Sequence, residues 1–146
     1  YVPYVVETSI GLDRMFLAVL ASSYVEEDLD NNTKRTVLKI PHFLAPYKVA
    51  VLPLVKKDSL PKYAKEIYNN LKIHFNITYD EKDAVGRRYR RQDALGTPFC
   101  ITVDHDFPKD KTVTLRFRDS MEQIRVSILE IKDEIDKRIN LSNYLS

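Results

Sequence analysis

Glu7, Ser9 and Arg14 are polar residues whose types and spacing suit the binding of small charged ligands. Residues 1–9 are rich in valine and aromatic side chains and predict a strand, in which Glu7 and Ser9 point to the same side. A carboxylate beside a hydroxyl group can hold an ammonium group. Arg14 lies in an apolar run, residues 12–20, that predicts a buried helix, where a guanidinium group needs an anionic partner.

The same residues can also have a purely structural role. Arg14 can pair with Asp13 or Glu7 inside the fold, because buried charges are usually paired. The residue pattern does not choose between a bound ligand and an internal ion pair.

The densest positive patch is residues 82–91, KDAVGRRYRR, which has five basic residues and one acidic residue around Tyr89. Arginine presents a planar fork to phosphates and bases, and a tyrosine ring presents a face for stacking. The combination favours single-stranded RNA over a small acid as the ligand. The alternative is a solvated helix face, which is a common role of charged helical residues. Arg116, Arg118 and Arg125 follow on predicted strands or their turn, where they can extend the patch.

Other chemistry has little support in the residue pattern. Asp104, His105 and Asp106 have the types of metal ligands, but adjacent strand positions point to opposite faces, so no metal site is predicted. Ser9 and Cys100 have no histidine nearby in the sequence to act as a base, so no catalytic residue is predicted. The three glycines are too dispersed to form a phosphate-binding loop.

The amino-acid composition limits the classes of protein to which this chain can belong. The chain has 146 residues, 44% of them hydrophobic, which is enough for the core of one ordinary domain. The formal net charge of +2 gives no global field for a polyanion, so any nucleic-acid surface must be local. A single cysteine and the absence of an apolar run of about 20 residues predict a reducing, cytoplasmic setting and no membrane association. The first residue is Tyr1, which suggests an excised fragment.

The elements that must position these residues alternate along the chain. Residues 26–32 are acidic, rich in asparagine and without periodicity, and predict a loop. Five apolar runs after it predict strands at residues 49–52, 77–79, 99–103, 113–116 and 123–126. Helical spacing of apolar residues predicts helices at residues 60–71 and 128–139. A third helix is predicted at residues 84–95, where Gly96 is well placed as a C-terminal cap with Pro98 just beyond. The predicted class is α/β, with a five-stranded mixed sheet flanked by three helices.

Four segments of the chain resemble the class II aminoacyl-tRNA synthetases in their glycyl form. Residues 4–14, YVVETSIGLDR, are similar to the third signature motif of that class. The anticodon-binding domain of the same family resembles residues 44–54, LAPYKVAVLPL, residues 85–99, VGRRYRRQDALGTPF, and residues 118–125, RDSMEQIR. These segments span nearly the whole chain and follow the order of the family.

The resemblance implies roles for individual residues. Glu7 and Ser9 would hold the amino group of glycine, and Arg14 would bind ATP, which the full-length enzyme uses with Mg²⁺. Asp93 is a candidate for the anticodon because a carboxylate can accept a hydrogen bond from the amino group of cytosine. The full set of anticodon-binding candidates that the resemblance implies is Arg87, Arg88, Arg90, Arg91, Asp93, Thr97, Phe99, Arg116 and Arg118.

The resemblance also implies an organisation. Residues 1–25 would be the last strand and helix of the class II catalytic domain, residues 26–46 a linker, and residues 47–146 the anticodon-binding domain. Two positions depart from the family pattern: Thr8 replaces a usual proline, and Phe117 replaces a frequent acidic residue. The first two class II motifs have no counterpart in this sequence, so this chain is expected to be inactive by itself.

The function implied is recognition of the tRNA(Gly) anticodon within an enzyme that attaches glycine to its tRNA at the expense of ATP. The full-length enzyme would be a cytoplasmic homodimer, and the fragment a monomer without a cofactor of its own. The alternative is a non-catalytic accessory or interaction module with the same fold. A small-molecule-binding doubly wound domain is disfavoured because no glycine-rich turn follows the first predicted strand of the sheet.

Overall fold

A computed structural model describes residues 1–29, 33–57 and 59–144. The helices are α1 Leu12–Ser23, α2 Leu60–Leu71, α3 Val85–Leu95, α4 Phe107–Asp110 and α5 Ile131–Ile139. The strands are β1 Tyr24–Leu29, β2 Thr33–Leu38, β3 Val49–Pro53, β4 Ile77–Tyr79, β5 Phe99–Val103, β6 Thr112–Phe117 and β7 Gln123–Ser127.

Strands β3 to β7 form one mixed sheet in the order β4-β3-β5-β6-β7. The pairs β3–β4 and β3–β5 are parallel, and β5–β6 and β6–β7 are antiparallel. Parallel neighbours need a crossover connection, which α2 and α3 supply. The predicted five-stranded mixed sheet with flanking helices is confirmed.

The main core lies on one face of the sheet, beneath α2 and α5. In α2 the buried residues are Leu60, Ala64, Ile67 and Leu71, the same stripe that the four-three-four spacing predicts. They pack with Ile131 of α5 and with inward-facing residues of β3, β5 and β6 in one cluster. Burial of this stripe holds the three-layer arrangement together.

The opposite face of the sheet has a smaller apolar patch. Ala50, Leu52 and Cys100 are buried there, and Tyr89 of α3 packs against them. Period-two alternation along β6 puts Arg116 on this same face, because Val113 and Leu115 belong to the main core. This face is therefore polar at β6, beside α3.

Strands β1 and β2 form a hairpin in a segment where the sequence predicts a loop. Strands β1 and β2 pair antiparallel, from Tyr24 with Leu38 to Leu29 with Thr33. The prediction of an irregular segment is wrong for residues 26–29, and residues 30–32 lie outside the described part. Arg35 and Val37 of β2 are buried against α3, so docking on that helix stabilises strands that have a charged sequence.

The N-terminal segment also differs from expectation. Residues 1–11 have no regular structure, so the predicted strand at residues 1–9 does not form. Helix α1 does form, but Leu12, Phe16 and Leu17 are exposed, and the prediction of a buried helix is wrong for the described residues. The physical reason is that a strand needs a pairing partner and an apolar helix needs a covering layer, and the described residues supply neither here.

Gly96 ends α3 in the left-handed conformation, with φ +79°. Its N–H donates to the Asp93 carbonyl at 3.2 Å, and the Thr97 N–H donates to the Gln92 carbonyl at 3.0 Å. A Cβ atom at Gly96 would lie 3.0 Å from Ile40 Cδ1 and 3.1 Å from the Leu38 carbonyl oxygen. Only glycine allows both this turn and this approach of the chain after β2.

We expect Gly96→Ala to lower the free energy of unfolding by about 1–3 kcal/mol, because the left-handed turn and the contacts with Ile40 and Leu38 both become strained. Urea unfolding followed by circular dichroism measures the change. The control is Gly86→Ala in α3, where no atom lies within 4 Å of the added Cβ and φ is not positive. That variant should be neutral or more stable by up to about 1 kcal/mol, and equal losses in the two variants would contradict the prediction.

Candidate nucleic-acid interface

A hollow of about 370 Å³ opens between the first half of α3, strand β6 and the turn that leads into β7. We call it the α3–β6 hollow. Its lining residues are Gly86, Arg87, Tyr89, Arg90, Arg116, Met121 and Gln123.

Tyr89 and Arg116 contact each other in this lining. The guanidinium carbon of Arg116 lies 4.7 Å from the centre of the Tyr89 ring, a cation–π contact. The Tyr89 hydroxyl lies 2.6 Å from Thr102 Oγ1, so a hydrogen bond fixes the ring. Burial raises the pKa of Tyr89, which keeps the hydroxyl neutral. The hollow therefore presents an aromatic ring next to a guanidinium group whose position is fixed.

Arg87 and Arg90 are the exposed arginines of α3. Neither forms an ion pair with any residue that the structure describes. Arg91 is only partly exposed and binds Asp80 and Asp83, the latter at 2.7 Å. The exposed charge of the helix that has no acidic partner is therefore next to the α3–β6 hollow.

Arg88 lies in the interior, with 2% of its surface exposed. Its guanidinium group donates to the carbonyl oxygens of Pro53 and Leu54, the latter at 3.1 Å, and to that of Asp80 at 3.4 Å. These carbonyls follow β3 and β4, so Arg88 connects α3 to the ends of two strands. In the described part of the chain it has no carboxylate partner.

Asp93 is the centre of a buried ionic cluster, and its side chain is fully buried. Arg116 donates to both carboxylate oxygens, at 2.8 and 3.0 Å, and Arg35 Nε donates to Oδ2 at 2.9 Å. Arg35 also binds Glu27 at 2.7 Å. This Asp93 cluster joins the hairpin, α3 and β6.

Arg118, Thr97 and Phe99 are also buried. Arg118 donates to the carbonyls of Leu38, Gly96 and Ile40 at 2.9–3.1 Å and to the carboxylate of Asp119. Burial raises the pKa of Asp119, but hydrogen bonds from His42 and Arg118 outweigh it and hold that pKa well below its usual range.

The other two buried candidates have internal partners as well. Thr97 Oγ1 donates to Gln92 at 2.9 Å. Phe99 packs edge-on against Phe117 and His42. All three residues therefore contact the protein interior.

The structure divides the nine anticodon-binding candidates into two groups. Arg87 and Arg90 are exposed and line the α3–β6 hollow, and Arg91 lies beside it on α3. Arg116 lines the same hollow, although only 4% of its surface is exposed. The interior holds Arg88, Asp93, Thr97, Phe99 and Arg118.

Glu7, Ser9 and Arg14 are exposed, and the structure does not bring them to the hollow. None of the three side chains has a hydrogen bond or ion pair to a described residue, so the internal pair of Arg14 with Glu7 or Asp13 does not form there.

Other reactive groups are buried or isolated. Burial raises the pKa of the Cys100 thiol to about 12, so it is unsuited to nucleophilic chemistry. Among residues 1–29, 33–57 and 59–144 no three potential ligands are grouped around a metal position. No helix in these ranges is long and apolar enough to span a membrane.

Sequence reasoning missed Glu27 and Arg35 because it assigned their segment to a loop and linker. The signal was available, since Asp30, Asn31 and Asn32 are turn-forming residues between two runs with strand-forming residues. No sequence signal identifies the remaining residues of the hollow, Met121 and Gln123.

Comparisons with known proteins agree with this geometry. The model of a family described as "Anticodon binding domain" matches residues 48–138. Glycine–tRNA ligase of Rhodopirellula baltica is 55% identical over an alignment of 146 positions that covers 97% of this chain and 27% of that protein. Glycine–tRNA ligase of Borrelia hermsii is 47% identical over 144 residues, 99% of this chain and 32% of that protein. The chain thus spans roughly three tenths of the length of these relatives.

Solved structures have the same fold. The RNA-binding domain of threonyl-tRNA synthetase from Cryptosporidium parvum superposes with a TM-score of 0.62, at 22% identity, over 68% of this chain and 25% of that one. Prolyl-tRNA synthetase from the same organism superposes with a TM-score of 0.63, at 19% identity, over 77% of this chain and 30% of that one.

We expect Arg88→Met to lower the free energy of unfolding by about 1–3 kcal/mol, because three carbonyl oxygens lose a charged donor. Arg87→Met, one position earlier and exposed, should change it by less than about 0.5 kcal/mol. Urea unfolding of both variants measures the difference. A loss in Arg87→Met as large as that in Arg88→Met would contradict the assignment of Arg88 to the interior.

Proposed function

The chain belongs to the anticodon-binding domain family, and from this membership we propose that it recognises the anticodon of tRNA(Gly) as part of a glycine–tRNA ligase. The observation that carries the proposal is the α3–β6 hollow, where the contact between Tyr89 and Arg116 lies next to the exposed Arg87 and Arg90. The resemblance of nearly the whole chain to glycine–tRNA ligases supports the choice of glycine tRNA.

The chemistry of the hollow fits an unpaired base with its phosphates. Sequence-specific RNA recognition mostly targets single-stranded loops, whose unstacked bases bind aromatic rings and guanidinium planes. Tyr89 and Arg116 supply such a surface, and Gln123 supplies an amide for a base edge. Arg87 and Arg90 supply charge to the phosphates that flank the base.

The buried anticodon-binding candidates are proposed to support the hollow and not to contact RNA. Both carboxylate oxygens of Asp93 already accept from arginines, so Asp93 holds Arg116 and does not bind a cytosine. Arg88 and Arg118 fix the ends of the strands and the turn by binding carbonyl groups. Thr97 and Phe99 are buried and do not line the α3–β6 hollow.

The activity of the whole protein is a further part of the proposal, since this chain spans only about 27–32% of its relatives. We propose ATP-dependent attachment of glycine to tRNA(Gly), with Mg²⁺, by a cytoplasmic homodimer. Glu7 and Ser9 would bind glycine and Arg14 would bind ATP, once the remainder of a catalytic domain covers the exposed apolar residues of α1. This chain by itself would be monomeric and inactive.

The domain organisation follows from the same proposal. Residues 1–25 belong to the catalytic domain, and residues 47–146 form the anticodon-binding domain. Residues 26–46 connect them, with strand β2 of the hairpin docked on α3. An accessory module without a catalytic parent is not favoured, because the relatives that match over nearly the whole chain are ligases.

We expect the chain to bind a tRNA(Gly) anticodon stem-loop more tightly than the same stem-loop with a scrambled anticodon. Its affinity should fall as salt rises, because phosphate contacts release counterions. Fluorescence anisotropy at several salt concentrations measures both effects. Equal binding of the two RNAs at low salt would refute anticodon recognition.

We expect Arg87→Ala and Arg90→Ala each to weaken binding of both RNAs by a similar factor and to reduce the slope of log affinity against log salt by about 1. The control is Lys132→Met on α5, which removes a partly exposed cation, paired with Asp136, on the side of the sheet away from the hollow. It should leave affinity and slope unchanged. Wild-type slopes in both arginine variants would mean that the exposed face of α3 is solvated and does not contact RNA.

A further inference from the structure

Arg116 does not hold its position in the α3–β6 hollow through the sheet alone. Its Nη1 and Nη2 atoms donate to the two oxygens of Asp93, at 2.8 and 3.0 Å. This bidentate pair fixes the plane of the guanidinium group. The orientation of Arg116 beside Tyr89 therefore depends on the orientation of the Asp93 carboxylate.

The Asp93 carboxylate is itself held by the hairpin. Arg35 Nε on β2 donates to Oδ2 at 2.9 Å, and the side chains of both residues are fully buried. The other nitrogens of Arg35 are also bound, Nη1 to Glu27 at 2.7 Å and Nη2 to the Arg118 carbonyl oxygen. With three acceptors on three nitrogens, Arg35 has a single arrangement, which it imposes on Asp93.

We propose that Arg35 is a positioning residue for RNA recognition: through Asp93 it sets the guanidinium group of Arg116 against the Tyr89 ring. This inference rests on the proposed recognition of an anticodon in the α3–β6 hollow. The hairpin lies before residue 48, where the match to the family model begins. Selectivity for the anticodon thus depends on a segment outside the matched domain.

The charge balance explains why arginine is needed at this position. Two buried arginines share Asp93, and Glu27 supplies the second negative charge. If an apolar residue replaces Arg35, the Asp93 carboxylate can rotate about its Cβ–Cγ bond, and the guanidinium group of Arg116 moves with it. A lysine retains one cation but cannot reach Asp93, Glu27 and the Arg118 carbonyl with a planar fork.

The test compares Arg35→Met, Arg116→Met and the double variant with wild type. The readout is the ratio of affinities for the tRNA(Gly) anticodon stem-loop and its scrambled counterpart, which a purely structural role would not change. Arg35→Met should reduce this ratio by at least about fivefold, within the range expected for a misplaced base contact. The double variant should lose no more than Arg116→Met alone, because both changes act on one contact. Lys132→Met should keep the wild-type ratio.

The outcomes separate the two proposals. If wild type has no preference for the anticodon, the proposed function fails. The positioning role is overturned by a different result: wild type prefers the anticodon, Arg116→Met loses that preference, and Arg35→Met keeps it. Should Arg35→Met fail to fold, Arg35→Lys replaces it: a lower ratio with a native circular dichroism spectrum supports the inference, and an unchanged ratio overturns it.

Discussion

The buried carboxylate of Asp93 is the interaction on which the arrangement of this molecule depends. It accepts hydrogen bonds from Arg35 of the hairpin and Arg116 of the sheet, and it belongs to the helix between them. Removing one partner of a buried ion pair costs several kcal/mol, since the other charge stays in a low-dielectric interior without compensation. Two elements distant in sequence are thus held to α3 by one side chain, and the hollow forms where one of them, β6, lies beside α3.

Arginine has two opposite uses in this fold. In the interior, Arg88 and Arg118 use their planar groups to bind several carbonyl oxygens at once, which completes the hydrogen bonding of strand ends and turns. On the surface, Arg87 and Arg90 remain unneutralised and supply the local field that a net charge of +2 does not. Arg116 is buried and fixed from the interior like Arg88 and Arg118, but it also lines the hollow beside Arg87 and Arg90.

The mixed sheet was predictable because its signals are local. Apolar runs give β3, β4 and β5 within one residue of their bounds, and the stripe from Leu60 to Leu71 gives α2. The hairpin and the N-terminal segment were not predicted correctly, because their state depends on other parts of the chain. Strands β1 and β2 are stabilised by docking on α3, and residues 1–9 have no described strand to pair with.

The sequence by itself determined the α/β class, the order along the chain of the five strands of the mixed sheet, the basic patch around Tyr89 and the resemblance to a tRNA synthetase family. Only the tertiary structure decided which arginines face solvent. The buried residues of α3 are Arg88, Gln92 and Asp93, so its inward face is polar and hydrophobic periodicity cannot identify it. The burial of this face depends on partners that are distant in sequence: Asp93 binds Arg116, 23 positions away, and Arg35, 58 positions away. These residues come into contact only when the sheet and the hairpin have assembled.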